Sequence, residues 1–144
     1  MGIEIKIVGF NSPLYNQAVA LREKLLRIPL GMRFTQDYLL QDKNNVHIVA
    51  LQEAKVVGTV LVKPIDAKTV KIRQVATDYS VQGKGIGKKL MLFAEDYARS
   101  RGFERVILHA RYYVVDFYKK LGYSVIGDEF VEVAMPHRLM VKKL

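Results

Sequence analysis

The segment Gln82-Gly83-Lys84-Gly85-Ile86-Gly87 carries the most specific chemistry in the chain. It stands between a strand-like apolar run and a helix-like one. A helix start leaves backbone N–H groups unpaired and carries the positive end of the helix dipole. Glycines let those amides approach an anion with no Cβ in the way. Lys84, Lys88 and Lys89 add positive charge at the same place. A phosphate or pyrophosphate suits such a segment. The segment is not a P-loop, because no Ser or Thr follows Gly87-Lys88. It misses the dinucleotide pattern G-x-G-x-x-G, and Glu104 falls at the start of the next strand rather than its end. The pattern it meets is Q-x-x-G-x-G, through Gln82, Gly85 and Gly87. On the glycines alone, a plain turn with solvated lysines reads the same way.

Other chemistry is narrowed by what the chain lacks. It has no cysteine, which excludes thiol nucleophiles, zinc fingers and disulfide frameworks. No Ser-His-Asp order stands out, and no His/Asp/Glu spacing suggests a metal. Candidates for proton transfer remain. His109 ends an apolar strand, where the active sites of open sheets gather. His137 follows Pro136, and Glu129 and Glu132 precede the last strand. Each alone also fits a hydrogen-bonded structural residue. Tyr118 shares a helical face with Val114 and Leu121, so spacing alone makes it a core aromatic. Arg22 and Arg27 could face an acidic acceptor but read first as a solvated helix flank, His47 reads as the exposed or edge side of a strand, and Asp78 as a residue that ends the strand or turns the loop. Met91, Met135 and Met140 read as core.

The elements that must position these residues follow from periodicity. Ile3–Phe10 alternates as a strand. Ser12-Pro13 starts a helix with Leu14, Ala18, Leu21, Leu25 and Ile28 on one face, stopped by Pro29. A polar stretch, helical turn or loop, leads to the strands Val46–Gln52 and Val56–Lys63, joined by a turn at Glu53–Lys55. Asp66–Lys68 turns the chain into the strand Val70–Thr77. A helix through Ile86, Leu90 and Tyr97 closes at Arg101-Gly102. Val106–Ala110 is a strand, Tyr112–Leu121 a helix, and Tyr123–Gly127 and Arg138–Lys142 are strands. The strand–helix–strand unit around the glycines requires a parallel pair, and the hairpins before it are antiparallel.

The 144 residues suit one domain over 1–144, with no linker or repeat. The 23 Lys+Arg against 14 Asp+Glu give +9 and suggest an anionic partner. No apolar run approaches the roughly 18 residues that span a membrane. Glu4 and Lys6 spoil the order of a signal peptide. The expectation is a soluble, cytoplasmic protein.

The stretch Val70–Gly127 resembles the core of the GNAT N-acetyltransferase superfamily. The resemblance rests on Lys71–Thr77, the Q-x-x-G-x-G loop with its helix, Arg105–Ala110, and Phe117-Tyr118-Lys119-Lys120-Leu121-Gly122-Tyr123. Leu21-Arg22-Glu23, Glu132 and Pro136-His137 further resemble a bacterial subgroup typified by the ElaA-like proteins. The resemblance implies an α/β, GNAT-like fold. Its sheet is mixed and mostly antiparallel, of six to seven strands with a central splay, and helices lie on both faces. It implies acetyl-CoA as co-substrate, no metal, and a primary amine as acceptor on a small molecule or a protein. It implies that Gln82, Gly83, Lys84, Gly85, Ile86 and Gly87, with Lys88, hold the pyrophosphate. A bulge or splay in the preceding strand would let Val75, Ala76 and Thr77 pair with pantetheine. Tyr118 sits where the family often places the acid for the leaving thiolate. The chain departs from the family at Arg111 and Val114, which replace an Asn and a small residue. It departs again at Arg73, where some relatives carry a Glu base, and at Tyr79, often Pro.

The expected reaction is direct attack of the amine on the thioester in a ternary complex. A backbone N–H near Val75–Thr77 serves as oxyanion donor. Tyr118, a phenol of ordinary pKa about 10, is the acid. The base lies among His109, His137, Glu132 and Glu129. The alternative is an acyl-CoA sensor that binds without turnover. No nucleic-acid or membrane partner is expected, and the family suggests a homodimer.

Overall fold

Alternating apolar residues build one twisted layer in this computed structural model, which describes residues 2–144. The strands are β1 (Glu4–Val8), β2 (Val46–Gln52), β3 (Lys55–Pro64), β4 (Thr69–Thr77), β5 (Arg105–Arg111), β6 (Ser124–Glu132) and β7 (Met135–Lys143). They form a seven-stranded sheet in the order β1-β2-β3-β4-β5-β7-β6. β4 and β5 run parallel, and every other neighbouring pair is antiparallel.

The helices are α1 (Pro13–Leu26), α2 (Gln36–Leu40), α3 (Ile86–Ser100) and α4 (Val115–Lys120). Ser12 caps α1 by accepting from the Tyr15 N–H at 3.2 Å, and Pro13 fills its first turn. Thr35 caps α2 in the same way through the Tyr38 N–H, at 3.1 Å. The period of β2 divides the helices between two faces. Ile48 and Ala50 face Leu90, Met91 and Ala94 of α3 in the larger core. Val49 and Leu51 face Ala18 and Leu21 of α1 in the smaller one. Each fully buried aliphatic side chain contributes about 1.5–3 kcal/mol over its exposed state. The fold is the mixed, mostly antiparallel α/β sheet with helices on both faces that the sequence resemblance implied.

β4 and β5 pair only from Thr69↔Arg105 to Ile72↔Leu108. Beyond that they separate, β4 running on to Thr77 and β5 to Arg111. Against β3, Thr59 opposes Ala76 while Leu61 opposes Arg73, so β4 carries one extra residue there. Gln74, with φ 53°, marks this bulge. A bulged strand bends and leaves part of its edge unpaired. The expected splay opens here.

The structure departs from the sequence reading at several places: Tyr112–Val114 is a 3-10 turn ahead of α4, Ile28 lies beyond α1, and three further differences bear on the site. The last hairpin is longer than Tyr123–Gly127 and Arg138–Lys142 suggested. Gly127 is a bulge rather than an end, since the register shifts between Ile126 and Phe130. The hairpin then turns at Val133-Ala134, φ 49° and 61°, with neither Gly nor Asn to signal it. His47 is not at an edge: β1 pairs outside β2, and His47 is buried. Arg22 is not solvated either; its flank of α1 is sealed, with 0% exposure. Among the described residues, no helix is long and apolar enough to cross a membrane.

Candidate functional site

The splay between β4 and β5 opens a cleft of about 970 Å³. Its walls are the bulged end of β4, the start of α3, Phe117 and Tyr118 of α4, and Glu132 and His137 from the last hairpin.

One end suits an anion. Gly85 caps α3 in the left-handed region, φ 78°, and no side chain caps the helix. The first N–H groups of α3 therefore keep no partner within the helix. Gln82, Gly83, Gly85, Ile86, Gly87 and Lys88 line the cleft, whereas Lys84 is exposed and outside its lining. The Gln82 amide donates to the Thr77 carbonyl at 3.1 Å and ties the loop to the strand end. A Cβ on Gly87 would stand 3.3 Å from the Phe117 ring, so helix and ring meet there without a side chain between. Val75, Ala76 and Thr77 line the adjoining wall, on the part of β4 that β5 does not pair. This stretch offers an extended ligand a strand edge.

Tyr118 is buried and lines the same cleft. Burial pushes its phenol above its ordinary range, and Tyr113 adds to the shift, so it stays protonated at neutral pH. Its ring packs edge-on against Tyr123, centroids 5.9 Å apart. Tyr123 is itself pinned, donating to Glu95 Oε2 at 2.7 Å. Lys142 Nζ completes the brace, 2.8 Å from Glu95 Oε1 and 2.7 Å from the Leu121 carbonyl. α3, β7 and the end of α4 are thereby locked behind Tyr118.

Three of the residues named from sequence as proton-transfer candidates converge beyond the bulge. His109 Nδ1 donates to Glu132 Oε1 at 2.9 Å. His137 Nε2 stands 3.7 Å from Glu132 Oε2, and its Nδ1 donates to the Met135 carbonyl at 2.9 Å. Phe130 fixes both rings, edge-on to His109 at 5.0 Å and stacked on His137 at 5.9 Å. Burial pushes the Glu132 carboxyl up, but the hydrogen bond and charge of His109, with Lys71 and His137, outweigh it and leave it below the usual carboxylate range. Burial pulls Lys71 down, Glu132 opposes this, and Arg73 and Lys63 repel the charge. Glu129 is elsewhere, in a separate depression with Asp116, Lys119 and Arg138.

The sequence reading missed what supports the bulge. Arg22 Nε donates to Gln74 Oε1, and its Nη1 meets Asp42 Oδ2 at 2.7 Å with both side chains fully buried. Tyr15 donates to the same oxygen at 2.9 Å, and burial with Asp42 pushes its phenol up to about 12. Tyr38 accepts from Arg73 at 3.0 Å and from Arg27 at 3.4 Å. Leu21-Arg22-Glu23 was the one signal, and only as a resemblance; nothing in the spacing of α1 marks which flank is covered.

Comparison with known proteins relates the chain to one family and one fold. Residues 16–123 match the family model described as Acetyltransferase (GNAT) family. The Bacillus subtilis N-acetyltransferase YjcF is 31% identical over 137 residues, 94% of this chain and 97% of that protein. The Bacillus subtilis protein YyaT is 31% identical over 98 residues, 68% of this chain, and that match spans only 66% of YyaT's own length. Among solved structures, a Lactobacillus plantarum protein superposes with a TM-score of 0.88 at 25% identity, covering 100% of this chain and 99% of that one. Escherichia coli ElaA shares the fold at a TM-score of 0.83 and 20% identity, covering 98% and 99%. So does an aminoglycoside 6'-N-acetyltransferase complexed with coenzyme A, at 0.81 and 16%, covering 97% and 96%.

Proposed function

The chain belongs to the GNAT acetyltransferase family, and from that premise we propose that it moves an acetyl group from acetyl-CoA to a primary amine by direct attack. One observation carries the reading. A single cleft joins an uncapped helix start, a free strand edge, a buried phenol and a carboxylate held between two histidines. An acyl-CoA sensor would have no use for the last of these. A neighbour of the same fold holds coenzyme A, which supports the donor.

The residues present fit that donor. The α3 amides of Ile86, Gly87 and Lys88 hold the pyrophosphate, and the backbone of Val75, Ala76 and Thr77 pairs with the pantetheine arm. Acetyl-CoA supplies the thioester. An N–H near the bulge stabilises the oxyanion. The acceptor arrives as an ammonium, of ordinary pKa about 10.4. The Glu132–His109–His137 cluster takes the proton that frees its lone pair, directly or through water. Nitrogen then attacks the carbonyl carbon, the N–C bond forms and the C–S bond breaks. Tyr118 gives its proton to the departing sulfur; of the two protons nitrogen sheds to the cluster, one restores the Tyr118 phenol through solvent and the other is released. The products are an amide, free coenzyme A and one released proton. We read residues 1–144 as one such catalytic domain, working in the cytoplasm.

The test is calorimetric titration with acetyl-CoA, followed by thiol release with a panel of amines. One saturable site per chain, and amide formed in step with thiol, is the expected result. Absence of acetyl-CoA binding overturns the assignment of the cleft, and binding without turnover on any amine favours a sensor.

A further inference from the structure

Deepening the acetyl-transfer reading and resting on it, we infer that the acceptor is an amine that also bears a carboxylate, of the α-amino-acid type. The observation is an excess of unpaired positive charge in the cleft, away from the start of α3. Arg27, Lys63, Lys71, Arg73 and Arg111 line this part, and Glu132 is the one carboxylate in the lining. Glu132 is already engaged by His109.

The three arginines hydrogen-bond to neutral oxygens alone. Arg73 reaches Asn45 Oδ1 and the Tyr38 hydroxyl, both at 3.0 Å. Arg27 reaches the same hydroxyl at 3.4 Å and the Leu26 carbonyl at 3.2 Å. Arg111 reaches that carbonyl at 2.8 Å and the Tyr113 hydroxyl at 3.2 Å. Arg27 and Arg111 thus converge on one oxygen, and Arg27 and Arg73 on another. Among the described residues, none of these three, nor Lys63 or Lys71, forms an ion pair. Elsewhere the chain pairs its buried Arg22 with Asp42 and its part-buried Lys142 with Glu95. Arg27 is buried, and burial pulls its guanidinium below its ordinary value, with Arg111 and Arg22 adding to the pull and Tyr38 opposing it. A nearly buried charge without a counter-ion is costly, and an incoming anion removes that cost.

The pyrophosphate is not that anion. Arg73 precedes the bulge and lies four residues before Thr77, roughly 13 Å along the strand from the loop that starts α3. A carboxylate suits the guanidinium fork, which donates two parallel hydrogen bonds. With the carboxylate on the arginines, the amine of the same molecule is directed toward Glu132, which carries the opposite charge. Polyamines and aminoglycosides, with several cationic groups, meet like charge here.

The experiment pairs each common amino acid with its amide, which keeps the amine and loses the anion, and adds spermidine and kanamycin. Thiol release is measured at saturating acetyl-CoA. In parallel, calorimetry follows binding of the same compounds to the chain loaded with coenzyme A. At least one acid should exceed its amide by about ten- to hundredfold in kcat/KM and in binding. Arg73→Gln should remove that preference through KM, with acetyl-CoA affinity unchanged. Arg73→Lys, which keeps the charge and loses the fork, should fall between the two. Arg111→Gln repeats the test on another element. Equal acceptance of acids and amides, preference for spermidine or kanamycin, or acetyl-CoA binding with no acid accepted each overturns the carboxylate proposal and leaves the donor site standing. Loss of acetyl-CoA binding by the unaltered chain overturns both.

Discussion

Arg22 and Asp42 meet at 2.7 Å with both side chains at 0% exposure, an ion pair sealed between α1 and the segment after α2. Arg22 also holds the side chain of Gln74, at the bulge of β4. The pair therefore links the stability of the smaller core to the shape of the cleft.

Removing one partner strands the other charge without water. Asp42→Asn or Arg22→Met should each cost about 3–5 kcal/mol in urea unfolding. The double variant Arg22→Met/Asp42→Leu should recover much of that, because neither charge is left buried. A single-variant loss under about 1 kcal/mol, the range of surface pairs, would mean that water reaches the site.

His47 gives the fold a pH dependence. Burial pulls its ring below the ordinary value; its bond to the Asp42 carbonyl at 2.8 Å and the Asp42 charge oppose this, while Arg22 and Arg73 repel a proton. The folded chain therefore holds His47 neutral where the unfolded chain begins to protonate it. Its contribution is present above about pH 6.5 and is lost as pH falls through the folded value. The urea midpoint should drop between about pH 7.5 and about pH 5.5, and His47→Gln should flatten that drop. A profile unchanged by the substitution would assign the drop to other groups.

What the sequence made legible was local. Ser12-Pro13, the strand Val46–Gln52 and the glycine loop each carry their signal within a few residues, and each lies where the reading put it. What it hid was decided by distant pairing. His47 is buried because β1 pairs outside β2, a contact across the whole of α1. Glu132 reaches His109 because β7 lies between β5 and β6, setting Arg111 opposite His137 and His137 opposite Phe130. Arg111, a departure from the family pattern, donates to the Leu26 carbonyl far back in the chain. No spacing within one element encodes such meetings.

Gly85 and Gly102 form a matched pair for testing the anion end. Both sit in the left-handed region, φ 78° and 85°, at opposite ends of α3, and a Cβ on either meets open space. Alanine at either position should cost about 1–2 kcal/mol of backbone strain. Only Gly85→Ala should weaken acetyl-CoA, by about tenfold or more, because only there does the Cβ enter the lining of the cleft. Equal affinities in calorimetry for the two variants would remove the pyrophosphate from this loop.

Tyr118 and Glu132 should separate in their pH behaviour. Burial holds Tyr118 protonated well past neutrality, so it can give a proton and cannot accept one in the working range. Tyr118→Phe should lower kcat by about 10²–10⁴-fold with acetyl-CoA affinity within about twofold. A kcat near that of the unaltered chain would take the acid role away from it. Burial works against ionisation of Glu132, yet His109, Lys71 and His137 keep its carboxyl below the ordinary range. It therefore remains ionised as pH falls from neutrality until below the usual carboxylate value. The acid limb of kcat/KM should then lie above Glu132's own titration and belong to another group. Glu132→Gln should lower the whole profile yet keep an acid limb, since it removes the charge without removing the titrating group. If the limb vanishes with Glu132, the carboxylate itself titrates in the working range, and the limb does not belong to another group.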